Sequence, residues 1–286
     1  MTVKEIFKIT EKKLYESGCE TASFDATCIL EDIGQIGRGR LNARRDETLP
    51  QTLEHAVLEA AKRRADGYPL QYLLGTWDFL GLTLEIGEGV LIPRPETELL
   101  CEEVVRRVQA RAYSDSISLV DLCAGSGCVG LGIASLLPDV PMSIFEFELS
   151  ENAFPYLQKN IQRYAPQKAS AILSDIITQS AQFDGPIDVL VSNPPYIPTA
   201  NLSTLQREVQ FEPSMALDGA EDGLMFYHAI ADRWLPKLAS GGIAAVEIGI
   251  GQSSAVSELF SLNGLSQIEI IKDFSGIDRV IIGVKR

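Results

Sequence analysis

Asn193-Pro194-Pro195-Tyr196 is the segment of this 286-residue chain whose residue types point most directly to chemistry. It closes the apolar run IDVLVS, which reads as a strand. Two consecutive prolines fix the backbone and remove two N–H donors, so the site presents acceptors. An amide or ring-conjugated NH2 is a poor nucleophile, because its lone pair is delocalised into the π system. The side-chain oxygen of Asn193 can accept one hydrogen of such a group, and the Pro194 carbonyl can accept the other. Together they hold the nitrogen in line with an electrophilic carbon and stabilise the positive charge growing on it. Tyr196 can stack on the planar group or the growing cation. No separate general base is required, since the alkylated nitrogen loses its proton readily. A proline turn without chemistry is the bland alternative, and a second motif upstream weighs against it.

Gly125-Ser126-Gly127-Cys128-Val129-Gly130 matches G-x-G-x-x-G between a strand-like and a helix-like run. Small residues let a backbone approach a ligand, and a helix N-terminus offers N–H groups. Glu148 follows about twenty residues on, where a dinucleotide fold places its ribose-binding acid. Taken alone, this fits a nicotinamide-dependent dehydrogenase. However, Asp121-Leu122-Cys123-Ala124-Gly125-Ser126-Gly127 resembles the D-x-x-x-G-x-G of S-adenosylmethionine-dependent methyltransferases. That cofactor has no pyrophosphate, so an acid beside the turn is tolerable. Asp121 either braces the turn or sits near the sulfonium end. Glu146 is a second acid on the face of Glu148, and alternation does not choose between them. Ser174-Asp175-Ile176 follows the next strand-like run. In methyltransferases this turn brackets the adenine, with Asp175 accepting the exocyclic amino hydrogen and Ile176 covering the ring. A turn- or helix-capping role is the alternative for Asp175.

The elements that must position these residues follow from periodicity. Residues 1–67 read as a helical domain, with Ile6, Ile9 and Leu14 on one helix, Ala26, Leu30 and Ile33 on a second, and Leu53, Val57, Ala60 and Ala61 on a third. The stretch Arg38 to Arg45 reads as a solvated loop. Residues 68–93 are aromatic and apolar with glycine punctuation, as in a β-hairpin linker. Residues 94–286 form the third segment. It opens on a helix from Pro95 to about Ala112 and then alternates strand and helix, which argues for a parallel sheet covered on both faces. The link between the last two strand-like runs is too short for a crossover helix, so the final strand should lie antiparallel to its predecessor. This is the pattern of an α/β, Rossmann-like class I methyltransferase fold with a mixed sheet.

The motifs outside the turn are more specific still. Pro69-Leu70-Gln71-Tyr72-Leu73-Leu74-Gly75, Ile92-Pro93-Arg94-Pro95-Glu96-Thr97-Glu98, Asn193 to Ile197, Phe211-Glu212-Pro213, Ala216-Leu217-Asp218-Gly219, Glu247-Ile248-Gly249 and Asp278-Arg279-Val280 resemble the HemK/PrmC family of glutamine N5-methyltransferases. These act on the Gly-Gly-Gln loop of class I peptide chain release factors. The resemblance covers nearly all the chain after residue 65. It implies an N-terminal helical domain suited to substrate docking, and an S-adenosyl-L-methionine pocket including Cys123, Ala124, Gly125, Ser126, Gly127, Glu148, Ile176 and Asn193. It implies that the substrate glutamine meets Asn193, Pro194, Pro195 and Tyr196, with Arg94, Pro95 and Glu96 at the pocket entrance. The family usually has glycine where Cys123 stands and aspartate where Glu148 stands. A residue with a Cβ is expected to avoid left-handed angles, so the turn should do so at Cys123.

Net charge is -14, with a pI near 4.7. This disfavours a protein that grips nucleic-acid phosphates, and with it the alternative of an adenine or cytosine amino-methyltransferase, which also uses N-P-P-Y. An inactive scaffold leaves the intact motifs unexplained. Five cysteines without a C-x-x-C pair and two histidines argue against a metal site or a disulfide framework. No signal-peptide core and no apolar run of spanning length is present, so the expectation is a reduced cytoplasmic protein away from membranes; the sequence does not give the oligomeric state, with a monomer favoured.

Overall fold

Helix α1 (Val3–Glu16) starts at a capping box, in which Glu5 N donates to Thr2 Oγ1 and Thr2 N donates to the Glu5 carboxylate. Two of the N–H groups that a helix start leaves open are thereby satisfied. α2 (Ala22–Asp32) and α3 (Gln51–Ala65) complete a helical core around Val3, Ile6, Leu14, Ile29, Leu30 and Val57. Ile9, expected on the inner stripe, is 44% exposed, and Thr10 takes the buried position beside it. Arg64 is buried against Asp25, with Nε donating to Oδ2 at 2.6 Å. The computed structural model describes residues 1–111 and 116–286 and has two units, Met1–Trp77 with Gln206–Phe211, and Asp78–Leu205 with Glu212–Arg286.

Tyr68 to Ile92 is not hairpin throughout. It begins with a helical turn, α4 (Leu70–Leu74), ended by Gly75 at φ 74°, the left-handed angle that glycine supplies at a helix end. The hairpin is β1 (Thr76–Phe79) with β2 (Leu82–Glu85). Next comes α5 (Pro95–Gln109), with proline in its first turn. The expected helix end at Ala112 lies outside the described residues.

Among the described residues, β3 (Ile117–Leu122), β4 (Met142–Glu148), β5 (Ala169–Leu173), β6 (Ile187–Ser192), β7 (Leu238–Glu247), β8 (Leu265–Lys272) and β9 (Asp278–Lys285) form one sheet in the order β5-β4-β3-β6-β7-β9-β8. β3 to β7 pair in parallel, while β9 runs antiparallel to both neighbours, as the short final link requires. Leu119, Val120 and Leu122 on β3 are all fully buried. Adjacent strand residues face opposite ways, so both faces are covered. α6 (Cys128–Leu136) and α7 (Phe154–Tyr164) follow β3 and β4; α8 (Met225–Ala229), continuing as a π-helical turn to Trp234, precedes β7, and α9 (Ser253–Leu262) precedes β8. No described helix is long and apolar enough to cross a membrane.

The strand order reverses between β3 and β6, which are neighbours pointing the same way. Chains leaving such a pair diverge and open a crevice at the carboxyl ends. The glycine turn follows β3 and N-P-P-Y follows β6, so the topology brings the two motifs to one crevice. Ser192 Oγ donates to the Leu122 carbonyl at 2.6 Å and ties the two strand ends together.

Candidate active site

The glycine turn corrects one expectation. Cys123 adopts φ 62°, a left-handed angle, as do Gly125 at 58° and Gly127 at 80°. Such an angle costs a residue with a Cβ about 1–2 kcal/mol. It persists because surrounding bonds over-determine the turn. Ala124 N donates to Phe147 O at 2.9 Å, Gly127 N to Ala124 O at 2.8 Å, and Gly125 N to Glu148 Oε2 at 2.7 Å. A Cβ on Gly127 would meet Leu157 Cδ1 at 2.8 Å, whereas one on Gly125 would meet Val90 Cγ2 at 3.9 Å. The turn is packed against α7 at Gly127 and open at Gly125. Asn160 on α7 braces it, donating to Ser126 O at 2.9 Å.

The two acids of β4 part company. Glu148 accepts from Gly125 N and, at 2.6 Å, from Ser150 N, and its carboxylate lines the cavity beside the turn. Burial raises its pKa, against the lowering pull of these amides. Glu146 is fully buried beneath α6, where a Cβ on Gly130 would lie 2.4 Å from its Oε1. Glycine at 130 is what makes room for this side chain. Asp121 shares the space, accepting from Gly130 N at 2.9 Å. It does not line the cavity, so its position matches a brace for the start of α6.

Asp121 and Glu146 interact as a carboxyl pair. Burial first, then the lowering contact with Glu146, leaves Asp121 pushed up to about 7. Burial, and then Asp121, raise Glu146 well above the carboxylate range. A carboxyl whose folded pKa exceeds its unfolded one contributes stability that is complete below the unfolded value and is lost as pH rises through the folded value. The fold should therefore lose stability as pH climbs from about 4 through about 7. Glu146→Gln keeps the shape and can donate to Asp121. Its melting temperature should match the wild type near pH 4 and exceed it by roughly 2–4 °C at pH 8, the shift about 1 kcal/mol produces in a domain of this size. A difference that does not vary with pH would contradict the raised carboxyl pKa values.

At the end of β5, Asp175 accepts from Ile177 N at 2.8 Å and from Thr178 Oγ1 at 2.8 Å, which is the turn-capping arrangement. The residue also lines the cavity, as does Ile176. Buried Trp234 donates from Nε1 to Ile176 O at 2.9 Å and fixes this turn from below.

N-P-P-Y is held from several sides. Asn193 Nδ2 donates to Thr97 Oγ1 at 3.1 Å, Thr97 Oγ1 donates to Glu247 Oε2 at 2.6 Å, and Tyr196 OH donates to Glu247 Oε1 at 3.2 Å. Burial, then the neighbouring Glu247, raise the Tyr196 hydroxyl's pKa, so it stays a donor. Gln252 Nε2 donates to Tyr196 O at 3.0 Å. A Cβ on Gly223 would lie 2.3 Å from that oxygen, and one on Gly219 2.8 Å from Tyr196 Cα. The two glycines let their loop close over the tetrapeptide. Arg94 pairs with buried Glu212, which also accepts from Ile92 N at 3.0 Å; Pro95 and Glu96 are exposed.

A cavity of about 830 Å³, counting its open mouth, joins these parts. Cys123, Ala124, Gly125, Ser126, Glu148, Asp175, Ile176, Asn193 and Pro195 line it; Asp121, Gly127, Pro194, Tyr196, Arg94, Pro95 and Glu96 do not. Gly89, Leu91, Ser150, Met215 and Phe226 also line it and carry no signal in spacing, whereas Pro213 and Ala216, which line it too, belong to the motifs Phe211-Glu212-Pro213 and Ala216-Leu217-Asp218-Gly219. Met215 lies between these two motifs in the chain, and that neighbourhood is the available clue.

Comparison with known proteins gives the chain's relatives. The model described as PrmC N-terminal domain matches residues 5–75, and that described as methyltransferase small domain matches 96–210. The release factor glutamine methyltransferase of Geobacter sulfurreducens is 36% identical over 283 residues, covering 99% of this chain and 96% of that protein. That of Moorella thermoacetica is 33% identical, covering 100% and 99%. Among solved structures, the human Mettl16 catalytic domain with an RNA hairpin gives a TM-score of 0.58 at 14% identity, over 88% of this chain and 87% of that one. A Thermus thermophilus 16S rRNA N2 G1207 methyltransferase with AdoMet and guanosine gives 0.51 at 19% identity, over 74% and 50%. At such identities the likeness concerns the fold alone.

Proposed function

The chain belongs to the family of release factor glutamine methyltransferases, and from that premise we propose how its residues carry the reaction. The protein is an S-adenosylmethionine-dependent methyltransferase acting on the side-chain amide nitrogen of a glutamine in a release factor. The observation that carries the assignment to this site is the side-chain amide of Asn193. It borders the cavity with its NH2 committed to Thr97, which leaves its oxygen for a substrate NH2.

The residues present fit the cofactor. Glu148 offers a carboxylate to a ribose diol, and Gly125 leaves the turn open to close approach. Ile176 and Phe226 supply apolar walls for a flat ring, and Ser174 Oγ is buried in the lining with no partner among the described residues. Bound there, S-adenosylmethionine supplies an electrophilic methyl group on a sulfonium. Asn193 Oδ1 and the Pro194 carbonyl would accept the two hydrogens of the glutamine NH2 and hold the nitrogen in line. They also stabilise the positive charge that grows on it. Tyr196, anchored by Glu247, covers the planar amide.

Glu148→Ala should weaken cofactor binding roughly ten- to a hundredfold, since a charge-assisted hydrogen bond is worth about 1.5–3 kcal/mol. Glu148→Asp should be milder. Unchanged affinity by calorimetry would move the ribose contact elsewhere.

The finer proposal is that the substrate is the Gly-Gly-Gln loop of class I release factors, in the cytoplasm, with the helical residues 1–67 adding a docking surface. Labelled-methyl transfer to a release factor, run beside duplex DNA, tests it. Label on the factor and none on DNA is expected. Label on DNA would favour the nucleic-acid amino-methyltransferase that the charge of -14 disfavours.

A further inference from the structure

Thr97 and Glu247 are buried, at 1% and 2% exposure, and neither lines the cavity. Thr97 lies in the first turn of α5 and Glu247 ends β7, 150 residues further on. A hydroxyl has one proton. Burial raises the Glu247 pKa while the hydrogen bonds from Thr97 and Tyr196 lower it; with Glu247 as the carboxylate, Thr97 donates its proton to Oε2 at 2.6 Å, so Thr97 Oγ1 accepts from the third member, Asn193, whose Nδ2 stands at 3.1 Å.

We propose that Thr97 and Glu247 are positioning residues for methyl transfer, acting as a relay that dictates which end of the Asn193 amide faces the substrate. Turning that amide over would set its oxygen against Thr97 Oγ1, two acceptors with no proton between them. An unmade buried hydrogen bond of this kind is disfavoured, so the amide is held with NH2 toward Thr97 and oxygen on the opposite side. Asparagine is symmetric in shape but not in chemistry, and only one of its two orientations offers an acceptor to an incoming NH2. The same carboxylate receives the Tyr196 hydroxyl on its other oxygen at 3.2 Å, and Tyr227 OH donates to the Glu247 backbone carbonyl at 2.9 Å, steadying the strand end. One buried group therefore sets both the acceptor and the aromatic cover of the site.

This deepens the proposed function and rests on Asn193 being the acceptor for the glutamine nitrogen. A wild-type enzyme that transfers no methyl to glutamine would defeat that reading. An active wild type with an equally active Thr97→Val variant would defeat only the relay. Thr97→Val removes the hydroxyl at nearly constant volume, and Thr97→Ser retains it. Glu247→Gln substitutes a group that can donate to Thr97 and free its proton toward Asn193. The full-length variants would be compared for kcat and KM on a release factor, for cofactor affinity by calorimetry, and for melting temperature. Thr97→Val and Glu247→Gln should lower kcat roughly 10- to 100-fold, with KM and cofactor affinity within about threefold, and Thr97→Ser should recover most of the rate. Three results would overturn the relay: a Thr97→Val rate within twofold of wild type, a Thr97→Ser as slow as Thr97→Val, or a kcat loss matched by equal losses of cofactor affinity and melting temperature, which would mark a structural brace.

Discussion

Asn193→Ala is expected to slow methyl transfer by roughly 100- to 1,000-fold, the usual cost of removing one preorganised polar contact from a transition state, while cofactor affinity stays within several-fold. Asn193 holds a single position in the crevice, at the end of β6 and against Thr97. Alanine deletes the acceptor that meets the developing charge and leaves the glycine turn and Glu148 untouched. The loss should fall on the transfer step, because the acceptor matters most once the nitrogen begins to carry positive charge. Asn193→Asp should be no better. One carboxylate oxygen would face Thr97 Oγ1, whose proton already goes to Glu247, so the side chain would be repelled from its seat. Single-turnover transfer with saturating cofactor, beside calorimetry on the same samples, separates the two effects. Near-normal turnover of Asn193→Ala would remove the residue from the mechanism.

What could be read from the chain divides along the range of the interactions involved. Alternating strand and helix runs and the short link before Asp278 are local patterns, and the sheet with its reversed final strand follows from them. N-P-P-Y and the glycine turn are contiguous, and topology alone brings them together. Sequence reasoning ran out wherever a residue's state depends on a distant partner. Glu146 and Glu148 are equivalent by alternation, yet one meets Gly130 and Asp121 under α6 and the other meets Gly125 and Ser150 at the crevice. Their different surroundings come from the packing of α6 on the sheet. Cys123 was misjudged because local sterics disfavour its φ, while bonds to Phe147 and Glu148 hold the turn in place. Thr97 and Glu247 sat inside motifs, but their link to Asn193 is visible only once α5, β6 and β7 are brought together.

Replacing the loop glutamine of a class I release factor with alanine should abolish label uptake from the methyl-labelled cofactor. On the proposed arrangement Asn193 and the Pro194 carbonyl supply two acceptors, so the crevice would ask for a planar group carrying two hydrogens on nitrogen. Tyr196 is held by its hydroxyl on Glu247 and by Gln252 on its carbonyl, and on the same proposal it covers the planar group. A glutamine carboxamide meets that demand at the end of a flexible stem; a lysine or serine does not. Free glutamine buries little surface, so it should be a poor substrate, and most of the affinity should come from the protein that surrounds the loop. Glycines flanking the glutamine let the loop extend into a narrow opening without side chains to obstruct it. The comparison therefore has three members: the intact factor, its Gln→Ala variant, and free glutamine. Peptide mapping of the labelled factor should place the methyl group on that glutamine. Equal uptake by the intact factor and the alanine variant, or label on a residue outside the loop, would reject the substrate assignment while leaving the methyltransferase chemistry of the crevice in place.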